Sequence, residues 1–213
     1  MAKVLVLGAS RGIGLETVKA LLARGHAVRG LARGADRMGL DDPAFEPIAG
    51  DATDPDTVAE AVAGTDAAVM ALGVRFGPAT IMRPVTLFSA ATDALVPAMQ
   101  TAGVRRLVAV TGFGAGDSRA KVSRLEAIPF ALILGQAYAD KDRQEAIIEA
   151  SGLDWTIVRP GILTRGARTG VYRVLVEPRT WRNGLISRAD VADFVAGQVD
   201  ASDLVGEAPV IVY

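Results

Sequence analysis

The chain predicts an α/β fold built on a doubly wound parallel sheet. Three observations carry that expectation. Short apolar runs alternate with amphipathic stretches along most of the 213 residues, the pattern of successive βαβ units. The run Ala67 to Leu72 is almost continuously apolar, as in a strand buried on both faces. The N-terminus reads as strand, glycine-rich turn and helix: Val4-Leu5-Val6-Leu7, then Gly8-Ala9-Ser10-Arg11-Gly12-Ile13-Gly14, then an amphipathic stretch closing at Gly25. Half of the residues are hydrophobic, enough for one sizeable core. The length suits a single domain over 1–213, with the part from about 160 forming a minor lobe.

In order, Leu15, Val18, Leu21 and Leu22 recur at helical spacing in the first helix. Ala27 to Ala32 is a second strand and Phe45 to Ala49 a third. Asp54-Pro55 opens a helix to about Val62, with proline at a permitted first-turn position. The strand Ala67 to Leu72 ends at Gly73, and Arg75 to Pro84 is a Gly/Pro-bearing loop. Val85 to Ala102 is helical, with a kink expected at Pro97. Val104 to Val110 is the next strand, ending at Thr111-Gly112. Ser118 to Ala127 reads as a short helix or a mobile loop. Asp140 to Ser151 is an amphipathic helix, Trp155 to Val158 a strand, and Val171 to Glu177 another. Thr180 to Gly184 is a loop. Ser187 caps a helix from Arg188 to about Val199, and Pro209 to Tyr213 is a final strand.

The glycine turn suggests a ligand. Gly8 turns the chain off the strand, Gly12 leaves room for an anion, and Gly14 lets helix and strand pack closely. The helix then presents free N–H groups and its positive dipole end to a phosphate. With the alternating pattern this predicts a Rossmann-type fold whose ligand lies beyond the carboxyl ends of the strands. Gly8, Arg33, Asp51, Gly73 and Thr111 all fall at such ends. Ser10, Arg11, Ile13, Ala52, Ala71, Leu72, Gly112, Pro160, Gly161 and Ile162 complete the expected cofactor contacts. Arg33 stands where NAD-preferring proteins carry a carboxylate, and Arg37 follows four residues later. Both suit a 2′-phosphate, so the expected cofactor is NADP, with NAD less favoured. The competing reading is that Arg11, Arg33 and Arg37 are solvated surface arginines. Asp51 is either an acceptor for an adenine amino group or a turn residue.

Composition excludes other classes. The net charge is −1 and no basic block occurs, against a general nucleic-acid binder. There is no cysteine and one histidine, so no disulfide, Cys nucleophile or zinc site is expected, and no metal. His26 reads as a helix-end or strand-start residue. The N-terminal apolar run is too short for a signal peptide, and no run approaches membrane-spanning length. A cytoplasmic protein is expected, monomeric or homodimeric, acting on a small molecule.

These stretches resemble the short-chain dehydrogenase/reductase superfamily, in its atypical branch. Gly8 through Gly14 is similar to that superfamily's nucleotide turn, in the GxxxGxG spacing of its commonest branch. Lys141-Asp142-Arg143-Gln144-Glu145, followed by Ser151-Gly152-Leu153-Asp154-Trp155-Thr156-Ile157-Val158-Arg159-Pro160-Gly161, resembles the atypical "K…E…SGLDWTIVRPG" pattern. Arg33 and Arg37 sit where the biliverdin-IXβ/flavin reductase and NmrA-like members place NADP-phosphate arginines. Thr169 to Tyr172 and Ile186 to Ala192 also look like that subgroup. The resemblance implies a hydride-transferring oxidoreductase. The superfamily's YxxxK pair is altered: Ala137 stands four before Lys141, and Tyr138 stands three before. That offset predicts a phenol turned by roughly 100° from the usual direction. The flavin reductases' active-site serine and histidine fall at Gly112 and Ile162.

The catalytic candidates are therefore Lys141, Thr111 and Tyr138. Lys141 can hold the nicotinamide ribose, and Thr111 can offer a hydroxyl. The expected activity is hydride transfer from NADPH to a small planar acceptor such as a flavin or quinone, which needs no dedicated acid. Two alternatives remain: a sugar-nucleotide epimerase or dehydratase, and a non-catalytic NADP-binding sensor of the NmrA type. Substrate choice is expected to rest on the loops near Arg75–Pro84, Ala115–Ile128 and Thr164–Gly170.

Overall fold

The β1 strand (Lys3–Leu7) is the centre of the molecule: Val4, Leu5, Val6 and Leu7 are fully buried. The computed structural model describes residues 1–74, 77 and 83–213, and only the backbone of 124–131 and 133. After β1 come α1 (Gly12–Ala23), β2 (Ala27–Ala32), β3 (Phe45–Ala49), α2 (Pro55–Val62) and β4 (Ala67–Met70). Then follow α3 (Leu87–Ala102), β5 (Arg106–Val110), α4 (Arg124–Glu149), β6 (Asp154–Pro160), β7 (Ile162–Thr164) and β8 (Arg173–Leu175). The chain ends with β9 (Leu185–Ser187), α5 (Arg188–Gln198) and β10 (Val210–Val212).

Eight strands form one sheet in the order β3-β2-β1-β4-β5-β6-β10-β8. Neighbours from β3 to β10 are parallel, and β8 is antiparallel to β10. β7 and β9 pair in a small second sheet. The strand order reverses between β1 and β4. In a doubly wound sheet that reversal opens a crevice at the carboxyl ends of the strands. This is the single-domain, Rossmann-like α/β fold the pattern predicts.

Alternation along β1 splits the core into two layers. Val4 and Val6 pack with Val18 and Leu21 of α1 and Val191 and Val195 of α5. Leu5 and Leu7 pack with Val58 of α2, Leu95 and Met99 of α3, and Ile148 of α4. Each fully buried Val or Leu contributes on the order of 1.5–3 kcal/mol. Local signals start the helices. Asp54 caps α2 by accepting from the Thr57 N–H at 3.1 Å, and Ser187 caps α5 by accepting from the Asp190 N–H at 3.0 Å.

The structure departs from the pattern in several places. β4 stops at Met70, so Ala71, Leu72 and Gly73 lie beyond its end. The helix expected from Asp140 begins at Arg124 and runs 26 residues, through Pro129 and Gly135. Its Leu-, Ala- and Glu-rich composition has high helix propensity, and Ser118 to Ala127, read as a short helix or a mobile loop, divides between a short 3-10 helix over Gly116–Lys121 and the start of this long helix. α3 likewise continues through Pro97. β6 extends through Arg159 and Pro160, because Arg159 pairs with neighbouring backbone there. The strand expected over Val171 to Glu177 shrinks to Arg173–Leu175. β7 and β9, three residues each, carry too little pattern to be seen in advance. Of the expected Arg75–Pro84 loop, residues 75, 76 and 78–82 lie outside the described residues.

Candidate functional site

The glycine turn is fixed by close approaches. Gly8 has φ +85°, and a Cβ there would lie 2.7 Å from the Ala71 carbonyl oxygen. A Cβ on Gly14 would lie 2.2 Å from the Gly8 carbonyl oxygen, so only glycine lets α1 sit this close to β1. Gly12 has φ +60° and open space above it. Arg11, the residue before α1, is extended and caps nothing, and no acidic side chain occupies the first turn. The first N–H groups of the helix therefore keep their anion-binding capacity.

A cavity of about 1510 Å³ lies along the carboxyl ends of the strands. At the turn its wall is formed by Gly8, Ser10, Arg11, Gly12 and Ile13. At the β2–β3 end it is formed by Arg33, Arg37, Asp51 and Ala52. Ala71, Leu72 and Gly73 line it beyond β4. Thr111, Gly112, Tyr138, Lys141, Pro160 and Gly161 line it at the β5–β6 end. The Arg11 guanidinium crosses the cavity to donate to the Gly73 carbonyl at 3.3 Å. Asp51 accepts from the Thr53 N–H and hydroxyl, both at 2.9 Å. Those bonds, with the charge of Arg33, hold its carboxyl below the usual range, so Asp51 shapes a turn while lining the cavity.

Two expected residues stand elsewhere. Gly14 is not on the cavity wall; it serves the helix–strand approach. Ile162 is 55% exposed. Side chains alternate along β7, and Leu163 lines the cavity instead.

Lys141 has the most constrained surroundings. Its ammonium donates to the Thr111 carbonyl and lies 4.8 Å from the Phe88 ring centre and 5.7 Å from that of Tyr138. Burial pulls its pKa down to about 8, against the opposing charges of Glu145 and Asp140. Tyr138 is not turned away. Residues three apart share a helix face, so it lines the cavity beside Lys141. Its hydroxyl covers Gly112, where a Cβ would come within 2.6 Å of it. Burial, then the charge of Glu145, pushes the phenol up to about 12. The Thr111 hydroxyl, by contrast, donates to Glu145 at 2.6 Å and is not offered to the cavity as a donor.

Several contributors were not anticipated. Arg159 is 1% exposed and pairs with Glu145 and Asp117. Asp140 accepts from the Phe88 N–H at 2.7 Å and fastens α3 to α4. Val85, Thr86, Leu87 and Phe88 form one wall, and Arg165 and Arg188 another. The sequence did hold one signal: an arginine between apolar strand residues requires a buried partner. His26 is structural, accepting from the Ala2 N–H at 3.3 Å and lying 3.2 Å from Asp200. Among the described residues no His/Cys/Asp/Glu group is arranged to hold a metal, and no helix is long and apolar enough to cross a membrane.

Residues 8–202 match the NAD(P)H-binding family. The chain belongs to that family. Its structural neighbours include reductases and short-chain dehydrogenases/reductases, which share its fold. It is 32% identical over 197 residues to an uncharacterized chloroplastic protein of Arabidopsis thaliana, covering 90% of this chain and 69% of that one. It is 29% identical over 203 residues to an NAD(P)H azoreductase of Xenophilus azovorans, covering 93% and 62%. The solved structure of an anaerobilin reductase from Escherichia coli O157:H7 superposes with a TM-score of 0.78 at 27% identity, covering 99% of this chain and 96% of that one.

Proposed function

We propose that the protein is an NADPH-dependent reductase that passes hydride to a small planar acceptor such as a flavin or quinone. The observation that carries this reading is the extent of the cavity. At about 1510 Å³ it exceeds the roughly 300–1,000 Å³ usual for one small ligand, and Arg33, Lys141 and Arg165 all line it. That is room for a cofactor and an acceptor together.

The residues present fit a phosphorylated dinucleotide. Gly12 leaves a Cβ-sized space open above the turn, and the first α1 amides suit a diphosphate. Arg33 has no carboxylate within 4.0 Å among the described residues, and with Arg37 it would hold the 2′-phosphate. Lys141 would hold the nicotinamide ribose, and Pro160 and Gly161 would shape the nicotinamide seat. Ser10, Ile13, Asp51, Ala52, Ala71, Leu72 and Gly112 would line the rest. NADPH supplies a hydride when bound; the acceptor gains two electrons and takes its proton from water. Tyr138, held protonated far above neutral pH, would steer the acceptor by hydrogen bonding.

The test is NADPH oxidation followed at 340 nm with menadione and with FMN. Turnover with either supports the reading. Tight NADPH binding with no turnover on any flavin, quinone or azo acceptor would favour a cofactor sensor instead.

A further inference from the structure

Among the described residues the cavity wall carries six cationic side chains, Arg11, Arg33, Arg37, Lys141, Arg165 and Arg188, against one carboxylate, Asp51. The whole chain has a net charge of −1, so this positive charge is local. On the reading above, Arg33, Arg37 and Lys141 have duties to the dinucleotide, and Arg11 stands in the glycine turn and donates to the Gly73 carbonyl. Arg165 and Arg188 have none.

Both belong to the small β7–β9 layer, past Pro160 and Gly161 in the chain. Arg165 directly follows β7. Arg188 is the first residue of α5 and is half-buried. One of its nitrogens donates to the Thr164 carbonyl at 2.9 Å, which fixes the guanidinium and leaves donors over. Neither arginine has a carboxylate within 4.0 Å among the described residues. The nearby carboxylate, Asp190, is already engaged: it accepts from the Thr169 and Gly170 N–H groups, both at 2.8 Å, and from the Tyr213 hydroxyl at 2.6 Å. A half-buried guanidinium without a counter-ion, as at Arg188, is matched by an oxyanion, and exposed Arg165 adds a second cation on the same wall.

We propose that Arg165 and Arg188 form an anion subsite for the acceptor, so that the protein prefers planar acceptors bearing a phosphate, carboxylate or sulfonate over neutral ones. This rests on the reductase reading. FMN and riboflavin share one ring system and differ by a phosphate, so they isolate the charge.

At saturating NADPH, kcat/KM for FMN is expected to exceed that for riboflavin by about tenfold or more, the worth of one charge-assisted contact. In the Arg165→Gln/Arg188→Gln variant the ratio is expected to fall to about one, while the NADPH dissociation constant changes less than about twofold. Equal kcat/KM in the wild type overturns the proposal, as does a ratio that survives the double substitution. A large loss of NADPH affinity in the variant also overturns it, since the arginines then serve the cofactor's diphosphate. The same flavins are titrated against NADP-saturated protein by flavin fluorescence. Tighter FMN binding, lost in the variant, upholds the subsite even where turnover is absent and the reductase reading fails. Equal binding of both flavins overturns it.

Discussion

Glu145 and Arg159 meet as a buried, two-point ion pair directly behind Thr111. Arg159 Nε lies 3.1 Å from Glu145 Oε1, and Nη2 lies 2.7 Å from Oε2. Oε1 also accepts from the Thr111 hydroxyl, and Arg159 Nη1 lies 2.6 Å from Asp117. The Trp181 ring covers the guanidinium at 5.1 Å. The pair thus joins α4, β6 and the segment after β5, and through Thr111 it sets the carbonyl that receives Lys141.

Removing one partner leaves a charge buried without compensation. Glu145→Ala is expected to destabilise the fold by about 3–5 kcal/mol. The paired replacement Glu145→Met/Arg159→Met is expected to lose less than that single change. Urea denaturation of the three proteins measures this, and a double variant weaker than Glu145→Ala contradicts it.

The two turn glycines separate stability from binding. Gly14→Ala puts a methyl 2.2 Å from a backbone oxygen, so α1 must move off β1. A loss of about 1–3 kcal/mol is expected, as for overpacked interiors. Gly12→Ala meets no atom, and its φ of +60° costs about 1–2 kcal/mol. Its methyl enters the space read as the phosphate approach, so NADPH affinity should fall by about tenfold or more. Thermal melts and a fluorescence titration compare the two variants. A Gly12→Ala protein with unchanged NADPH affinity would refute the placement of the phosphate.

The core and much of the cavity's lining were legible because their patterns are local. β2, β3 and α2 follow from runs of five to eight residues with caps or glycines at their ends. Gly8, Arg33, Asp51, Gly73 and Thr111 all reach the cavity because strand ends in a parallel sheet share one edge. The remainder depends on tertiary pairing. Glu145 finds Arg159 across 14 residues of sequence, and Asp140 finds the Phe88 N–H across 52. Neither has a periodic signature. β7 and β9 exist because each pairs with the other, and that pairing sets the face that Ile162 takes.

Gly112 and Tyr138 form a second coupled pair. A methyl at 112 would sit 2.6 Å from the phenol oxygen, so Gly112→Ala should displace Tyr138. The expected outcome is a raised acceptor KM with NADPH binding retained, and Tyr138→Phe should reproduce it. Both are checked by steady-state kinetics. Normal acceptor KM in both variants removes Tyr138 from the acceptor site.

Lys141 should make the protein pH-dependent just above neutrality. Burial lowers its pKa from 10.5 to about 8, so the folded protein binds fewer protons than the unfolded chain between those values. The unfavourable burial of the ammonium acts fully below pH 8, and stability is regained as pH rises from about 8 toward 10.5. Activity should move the other way, falling with an apparent pKa near 8 as the ammonium loses its proton. Lys141→Met should flatten both profiles and lower turnover. The measurements are kcat/KM and urea midpoints across pH 6.5–10, and a Lys141→Met protein with wild-type profiles contradicts the assignment.

On the proposed reading, cofactor choice turns on Arg33. It directly follows β2 and lines the cavity with Asp51, whose carboxyl its charge helps keep ionised. A guanidinium there favours a phosphate and leaves little to repel one. Arg33→Asp brings a second carboxylate to the same spot and removes the charge-assisted donors. NADPH binding should weaken by about 1.5–3 kcal/mol, while NADH, which lacks the 2′-phosphate, should change much less. Arg37 is 78% exposed at its side chain and lies 3.8 Å from Asp36, so Arg37→Gln should weaken NADPH less than Arg33→Asp does. Dissociation constants for both cofactors, measured at fixed ionic strength, decide the matter. Equal losses for NADPH and NADH would place Arg33 away from the phosphate and return the choice of cofactor to NAD.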